Sequence, residues 1–151
     1  MATFTITGDD TLTLWDRVFV DFSDNDVSTV VYNEDLVMDS VGKNQNTIFA
    51  KNEKGNAATF TLRLIRGSSD DRFMQRKLSD MNADFATTVL ASGEFVKRLG
   101  DGDGNVYRDV SQLQGGMISR RPDSKDNVSG DTEQGTAIYV MRFASAKRSI
   151  Q

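Results

Sequence analysis

The chain has 151 residues, 38 % of them hydrophobic and 26 % charged, with a formal net charge of −4. This is one domain of ordinary size, long enough to bury a core without disulfides or metal. It has no histidine, no cysteine and a single proline, Pro122, which excludes the commonest proton-transfer group, the thiolate nucleophile and the soft metal ligands.

The sequence pI of about 4.8 argues against a nucleic-acid grip, which needs a basic face. No apolar run approaches the ~20 residues of a membrane helix. The first ten residues lack the basic and apolar regions of a signal peptide, so a protein made and folded in a cytoplasm is expected.

In chain order, residues 3–7 alternate as a short strand, ended by a turn signal at Gly8-Asp9-Asp10. Residues 11–22 read as a first long strand. One of its faces carries Leu14, Asp16, Val18, Val20 and Phe22, the other Trp15, Arg17, Phe19 and Asp21. The second face mixes aromatics with charges, as a subunit interface or a sheet edge does. A turn is expected at residues 23–26 and a β-branched strand at 27–32, with residues 36–38 as its continuation. Residues 39–46 are polar and include Gly42. Residues 47–51 read as a brief strand and 52–56 as a turn. Residues 57–66 alternate clearly, with Phe60, Leu62 and Leu64 on the face expected in the core.

One helix is expected, over residues 68–85. Ser68 and Ser69 are candidate N-caps, and Asp70 and Asp71 suit the positive end of the helix dipole. Met74, Leu78, Met81 and Phe85 recur at i, i+4, i+7 and i+11, an apolar stripe that should pack the helix on a sheet. Strand character resumes at 86–91. Residues 93–99 and 105–113 flank a glycine-rich hairpin turn, and 115–121 form a further strand that Pro122 ends. Residues 123–134 are a long polar loop. Residues 136–146 close the chain as a strand with apolar residues on both faces and cover expected on both sides. The sum is nine or ten strands and one helix. The fold class is mainly β or α+β: two packed antiparallel sheets, sandwich-like or barrel-like, with one flanking helix in a single domain.

Chemical motifs are weak. Asp101-Gly102-Asp103-Gly104-Asn105 places oxygen ligands at alternate positions, as a calcium loop does, but Val106 stands where the turn glycine belongs and Gln112 where the bidentate glutamate belongs. A hairpin turn is the better reading. Asp9, Asp10, Asp24, Asp26, Asp70 and Asp71 sit at turns and caps, so a carboxylate hydrolase has no motif behind it. Gly42-Lys43 lacks the rest of a phosphate loop, and Arg120-Arg121 lacks the interleaved aromatics of a nucleic-acid site. No catalytic residue, metal ligand or cofactor is assigned. Trp15, the sole tryptophan, is a core or interface residue.

One longer pattern is more specific. The stretch Leu36-Val37-Met38-Asp39-Ser40-Val41-Gly42-Lys43-Asn44-Gln45-Asn46-Thr47-Ile48-Phe49-Ala50-Lys51-Asn52 resembles the loop-and-strand segment of phage tail tube proteins. Gly55, the strand at 57–66, the capped helix from Ser68, the long loop from Pro122 and the closing strand at 138–143 continue the resemblance, which runs from about Leu12 to Ser149. The size looks most like the tube of a contractile tail, and bacteriocin and type VI secretion tubes are related.

The resemblance implies two packed antiparallel sheets with a helix, six subunits to a ring, and rings stacked into a hollow tube. It implies a virion tail assembled in a host cytoplasm and no enzyme activity. The expected partners are further copies of the chain, a sheath, a tape measure protein, and a baseplate or tail terminator. DNA passes through the lumen without specific binding. On this reading residues 39–56 form the inter-ring loop and hairpin, with Asp39, Val41, Gly42, Lys43, Asn44, Asn46, Lys51, Asn52, Glu53 and Lys54 as its contact residues. The alternative is a monomeric β-sandwich binding module.

Overall fold

The computed structural model describes residues 3–23 and 26–151, and only the backbone of Glu133. The fold is mainly β, with nine strands and one α-helix among the described residues. The strands are β1 (Thr5–Leu14), β2 (Arg17–Phe19), β3 (Ser28–Tyr32), β4 (Val37–Val41), β5 (Thr47–Lys51), β6 (Ala58–Ile65), β7 (Ala91–Gly100), β8 (Val106–Arg120) and β9 (Thr136–Ile150), with helix α1 (Ser69–Ala83) after β6. Seven strands form one antiparallel sheet in the order β2-β1-β7-β8-β9-β6-β3, and β4 pairs with β5 in a separate two-stranded sheet.

The large sheet curls back toward itself. Residues 17–19 pair with the end of β1, and the same segment then reaches β6 through the bridge Phe22↔Leu64. The amide of Ile65 donates to Asp21 O at 2.9 Å, and that of Ser23 to Arg63 O at 3.4 Å. The two ends of the strand order are thus linked, but among the described residues no continuous ladder closes them into a barrel.

The core lies inside this curl. Leu12, Leu14, Phe19, Phe60, Leu62, Leu64, Met74, Leu113, Tyr139, Met141 and Phe143 are buried there. The Phe60 and Phe143 rings meet edge to face with centroids 5.9 Å apart, a preferred aromatic geometry. Phe143 lies over Gly116, its directly opposed partner on β8. A Cβ at Gly116 would stand 2.1 Å from the Phe143 ring, so this position has room for no side chain.

α1 docks as its stripe requires for three of the four expected residues. Met74 and Leu78 are buried, and Met81 packs half-buried against the core. Phe85 does not belong to the stripe and is 65 % exposed. The helix stops at Ala83, and Asp84 accepts from the amide of Ala86 at 3.2 Å to begin a separate 3-10 turn over Phe85–Thr87. Helical periodicity therefore does not reach position 85.

Other boundaries also moved. Gly8-Asp9-Asp10 is not a turn between strands: β1 runs through it with a register shift between Ile6 and Asp10. The turn falls instead at Trp15 and Asp16, whose φ angles of 51° and 58° suit a two-residue hairpin of the right-twisting kind. Tryptophan is not a usual choice at the first position, and the usual glycine is missing from the second, which is why 11–22 read as one strand. Residues 86–90 are not strand. The expected strand at 115–121 is the second half of β8. β9 is covered on one face only: Ala137, Tyr139, Met141 and Phe143 are buried, whereas Ile138 is 43 % exposed. The expected turn at 23–26 includes Asp24 and Asn25, which lie outside the described residues.

Candidate assembly surfaces

The β4–β5 hairpin stands apart from the body. Every residue from 37 to 51 is exposed. Its register pairs Val37 with Lys51, Asp39 with Phe49 and Val41 with Thr47, which places these six on one face. Met38, Ser40, Ile48 and Ala50 share the other. Both faces therefore carry apolar side chains. Val41 is 62 % exposed, Met38 60 %, and Ile48 and Phe49 71 % each. An isolated two-stranded ribbon is marginal in water, and clustered exposed apolar groups mark surfaces that a partner covers.

Of the expected contact residues, Asp39 and Val41 lie on β4 rather than in a loop, and Lys51 ends β5. Gly42, Lys43, Asn44 and Asn46 form the tip, where the Gly42 amide donates to Asn46 O at 2.8 Å. Glycine is not required at position 42: a Cβ would meet Asn46 O at an ordinary 3.5 Å. The left-handed residue of the tip is Gln45, with φ 65°.

Asn52, Glu53 and Lys54 build a firm base. The Asn52 side chain donates to Asp35 O at 2.9 Å and accepts from the Lys54 amide at 3.2 Å, while its own amide donates to Leu36 O at 2.8 Å. Gly55 is buried beneath, and a Cβ there would stand 2.7 Å from Leu36 Cα. The close approach of two backbones at Gly55 fixes where the hairpin leaves the body. The Lys51–Glu53 ion pair at 4.0 Å is exposed and contributes little.

Two sheet edges are also open among the described residues. β3 pairs only with β6, and β1 pairs with β2 only from Leu12 to Leu14, leaving its first seven residues without a ladder on that side. Val31, Tyr32, Phe4 and Ile6 on these edges are exposed. Every neighbouring pair in the sheet is antiparallel, so β1 and β3 run in opposite directions. The β1 edge of one copy can therefore join the β3 edge of another without breaking the antiparallel pattern.

The charged groups that sequence placed at the start of α1 are structural and more buried than capping alone requires. Asp70 is fully buried and accepts from Arg17 Nε at 3.0 Å and from the amides of Val20 and Asp21 at 2.8 and 2.9 Å. It holds the segment that links the two sheet ends. Asp71 accepts from the Tyr139 hydroxyl and from the Gly67 amide at 2.9 Å. Gln75 Nε2 donates to the same Tyr139 oxygen at 2.9 Å. Burial, reinforced by the Asp71 carboxylate, pushes the Tyr139 phenol above its ordinary range. Sequence reasoning missed these partners, because Arg17 and Tyr139 lie 53 and 68 positions from their acids. It also missed the edge-to-face cluster of Trp15, Phe73 and Phe19 with the Lys77 ammonium over the Trp15 ring at 5.4 Å.

The 101–105 turn uses its acid internally. Asp101 accepts from the Asn105 side chain at 2.7 Å and from the Asp103 and Asn105 amides at 2.8 and 3.2 Å. These bonds, that from the Asn105 side chain first, hold its carboxyl below the usual range. Among the described residues no group of three or more acidic side chains is placed to hold a metal ion, and no helix is long and apolar enough to cross a membrane. Compared with known proteins, the chain matches no family model and no curated protein.

Proposed function

We propose that this chain is a self-assembling structural subunit, the building block of a phage tail tube or a related tube, and not an enzyme. The observation that carries the reading is the β4–β5 hairpin. It projects from a base locked by Asn52 and Gly55, and it exposes apolar side chains on both faces. Such a ribbon has its use where another copy covers it. The open β1 and β3 edges supply the second contact. Joined edge to edge around a rotation axis they leave no free edge, and six copies in a ring follow the resemblance stated above. The hairpin then reaches the adjacent ring, and rings stack until something stops them.

In this reading the lumen holds a tape measure protein and later conducts DNA. The acidic balance of the chain helps phosphates slide rather than bind. A sheath would cover the outside, a baseplate and terminator the ends, and the mature setting is the virion tail.

Negative-stain electron microscopy of the purified protein at rising concentration tests this. Rings or hollow tubes are the expected result. Replacing the hairpin tip by deletion of residues 41–46 should leave a folded subunit that no longer stacks. Monodisperse small particles at every concentration would favour the binding-module reading instead.

A further inference from the structure

We propose that the cleft between the C-terminal half of α1 and the strap of residues 85–90 is the acceptor for the β4–β5 hairpin of a second copy. This rests on the reading of the chain as self-assembling and names the surface through which it would do so.

The cleft encloses about 110 Å³ and is walled by Asp80 and Met81 from the helix and by Thr88 and Val89 from the strap, with Trp15 and Met117 among its lining. That is room for roughly one large side chain. The strap is held in place: Trp15 Nε1 donates to Val89 O at 3.0 Å, and the Thr88 amide donates to Phe85 O at 3.3 Å. Yet it turns its apolar side chains outward. Phe85 is 65 % exposed, Val89 69 % and Leu90 50 %. A rigid strap with an apolar rim beside a cleft of about one side chain's volume matches the ribbon face that carries Val37, Val41 and Phe49, the last 71 % exposed.

One polar feature points the same way. Asp80 has no ion-pair partner among the described residues, and neither does Lys43 at the tip of the hairpin. Lys77, the cation within the cleft lining, lies over the Trp15 and Phe73 rings at 5.4 and 5.5 Å. The hairpin of the same chain does not fill this cleft, because all its residues are exposed. Donor and acceptor are different surfaces of one chain, so the contact is head-to-tail and propagates.

The chain has no cysteine, which makes crosslinking unambiguous. Asp39→Cys, beside Phe49 on the same ribbon face, and Thr87→Cys on the strap are combined in one chain at two exposed positions, and the protein is oxidised under assembly conditions. A covalent ladder of dimers, trimers and higher species is expected, with each single variant giving dimers at most. In parallel, Lys43→Glu and Asp80→Lys should each raise the assembly threshold severalfold, and the two together should restore it. Tubes or rings that form without a ladder, and without charge rescue, would overturn this docking while leaving the tube reading in place. A double-cysteine chain that stays monomeric at every concentration would overturn both.

Discussion

The sharpest consequence of the exposed hairpin is that assembly and folding come apart there. Ile48→Ser with Phe49→Ser removes the two most exposed apolar side chains of the ribbon, each 71 % exposed. Fully burying such a side chain is worth about 1.5–3 kcal/mol. Some seven-tenths of that is still to be gained in each case when a second copy covers it, or roughly 1–2 kcal/mol apiece. The pair thus contributes about 3 kcal/mol per hairpin, and at 1.4 kcal/mol per decade the assembly threshold should rise about a hundredfold. The folded subunit loses almost nothing, because exposed substitutions usually stay within about 0.5 kcal/mol. For a chain of this length that is a melting shift of about 1–2 °C. Sedimentation velocity with electron microscopy gives the threshold, and circular dichroism gives the melting temperature. An unchanged threshold would refute the reasoning. So would a large drop in melting temperature, since it would mean that the hairpin supports its own domain rather than a neighbour.

The body makes different predictions. Asp70→Ala leaves the Val20 and Asp21 amides and the Arg17 guanidinium without their shared acceptor. Breaking a buried pair costs about 3–5 kcal/mol, and the partial exposure of Arg17 puts the value at the lower end. A melting temperature lower by about 10 °C is expected, and a shift under about 2 °C would refute the role given to Asp70. Leu78→Asp places a charge in the core and should cost at least about 3 kcal/mol in urea unfolding, whereas Phe85→Ser should cost under about 0.5 kcal/mol; equal losses would return Phe85 to the helix stripe. Asp101 titrates lower folded than unfolded, so its contribution is present above the unfolded value near 3.8 and is lost as pH falls through the folded one. Carboxyl NMR titration should place Asp101 below the ordinary aspartate value near 3.8, and Asn105→Ala should raise it. An Asp101 midpoint that ignores Asn105 would contradict the turn geometry.

The strands with clean alternation were legible because their burial is local. Phe60, Leu62 and Leu64 announce the core face of β6, and Met74 and Leu78 announce the inner face of α1. The misreadings fall where tertiary contacts override local signals. Trp15 takes a left-handed backbone angle that a bulky residue disfavours, beside an Asp16 that tolerates one, and the turn is held there by β1–β2 pairing and by the Trp15 contacts to Ser92 O and Val89 O. Gly8 looks like a turn but sits in a bulge of a continuous strand. At position 85 the stripe continued on paper, but Asp84 had already ended the helix. The candidate surface was half visible. Residues 47–51 read as a brief strand but 36–38 as the continuation of an earlier one, and it is the register of 37–41 against 47–51 that makes them one ribbon. The acceptor cleft was invisible, because Trp15, Asp80, Val89 and Met117 come from four separate elements.

A monomer built in this way carries a hazard that bears on how it is controlled. Open edges and exposed apolar ribbons invite indiscriminate pairing. Three features of the chain oppose that. The bulge near Gly8 interrupts the open stretch of β1, and bulges twist an edge away from flat pairing. The Lys97–Asp10 ion pair at 3.0 Å sits just beyond it, its carboxylate nearly buried, and a charge turned inward from an edge strand opposes pairing with a foreign strand. The net charge of −4 adds mutual repulsion, which is screened within about 10 Å at 0.1 M salt. Contacts between correctly seated copies act at shorter range than this repulsion. Raising salt should therefore speed encounter without changing the seated geometry. If assembly in 0.5 M NaCl gave amorphous aggregate where 0.1 M NaCl gave ordered particles, charge rather than edge geometry would be the feature that selects the right contact.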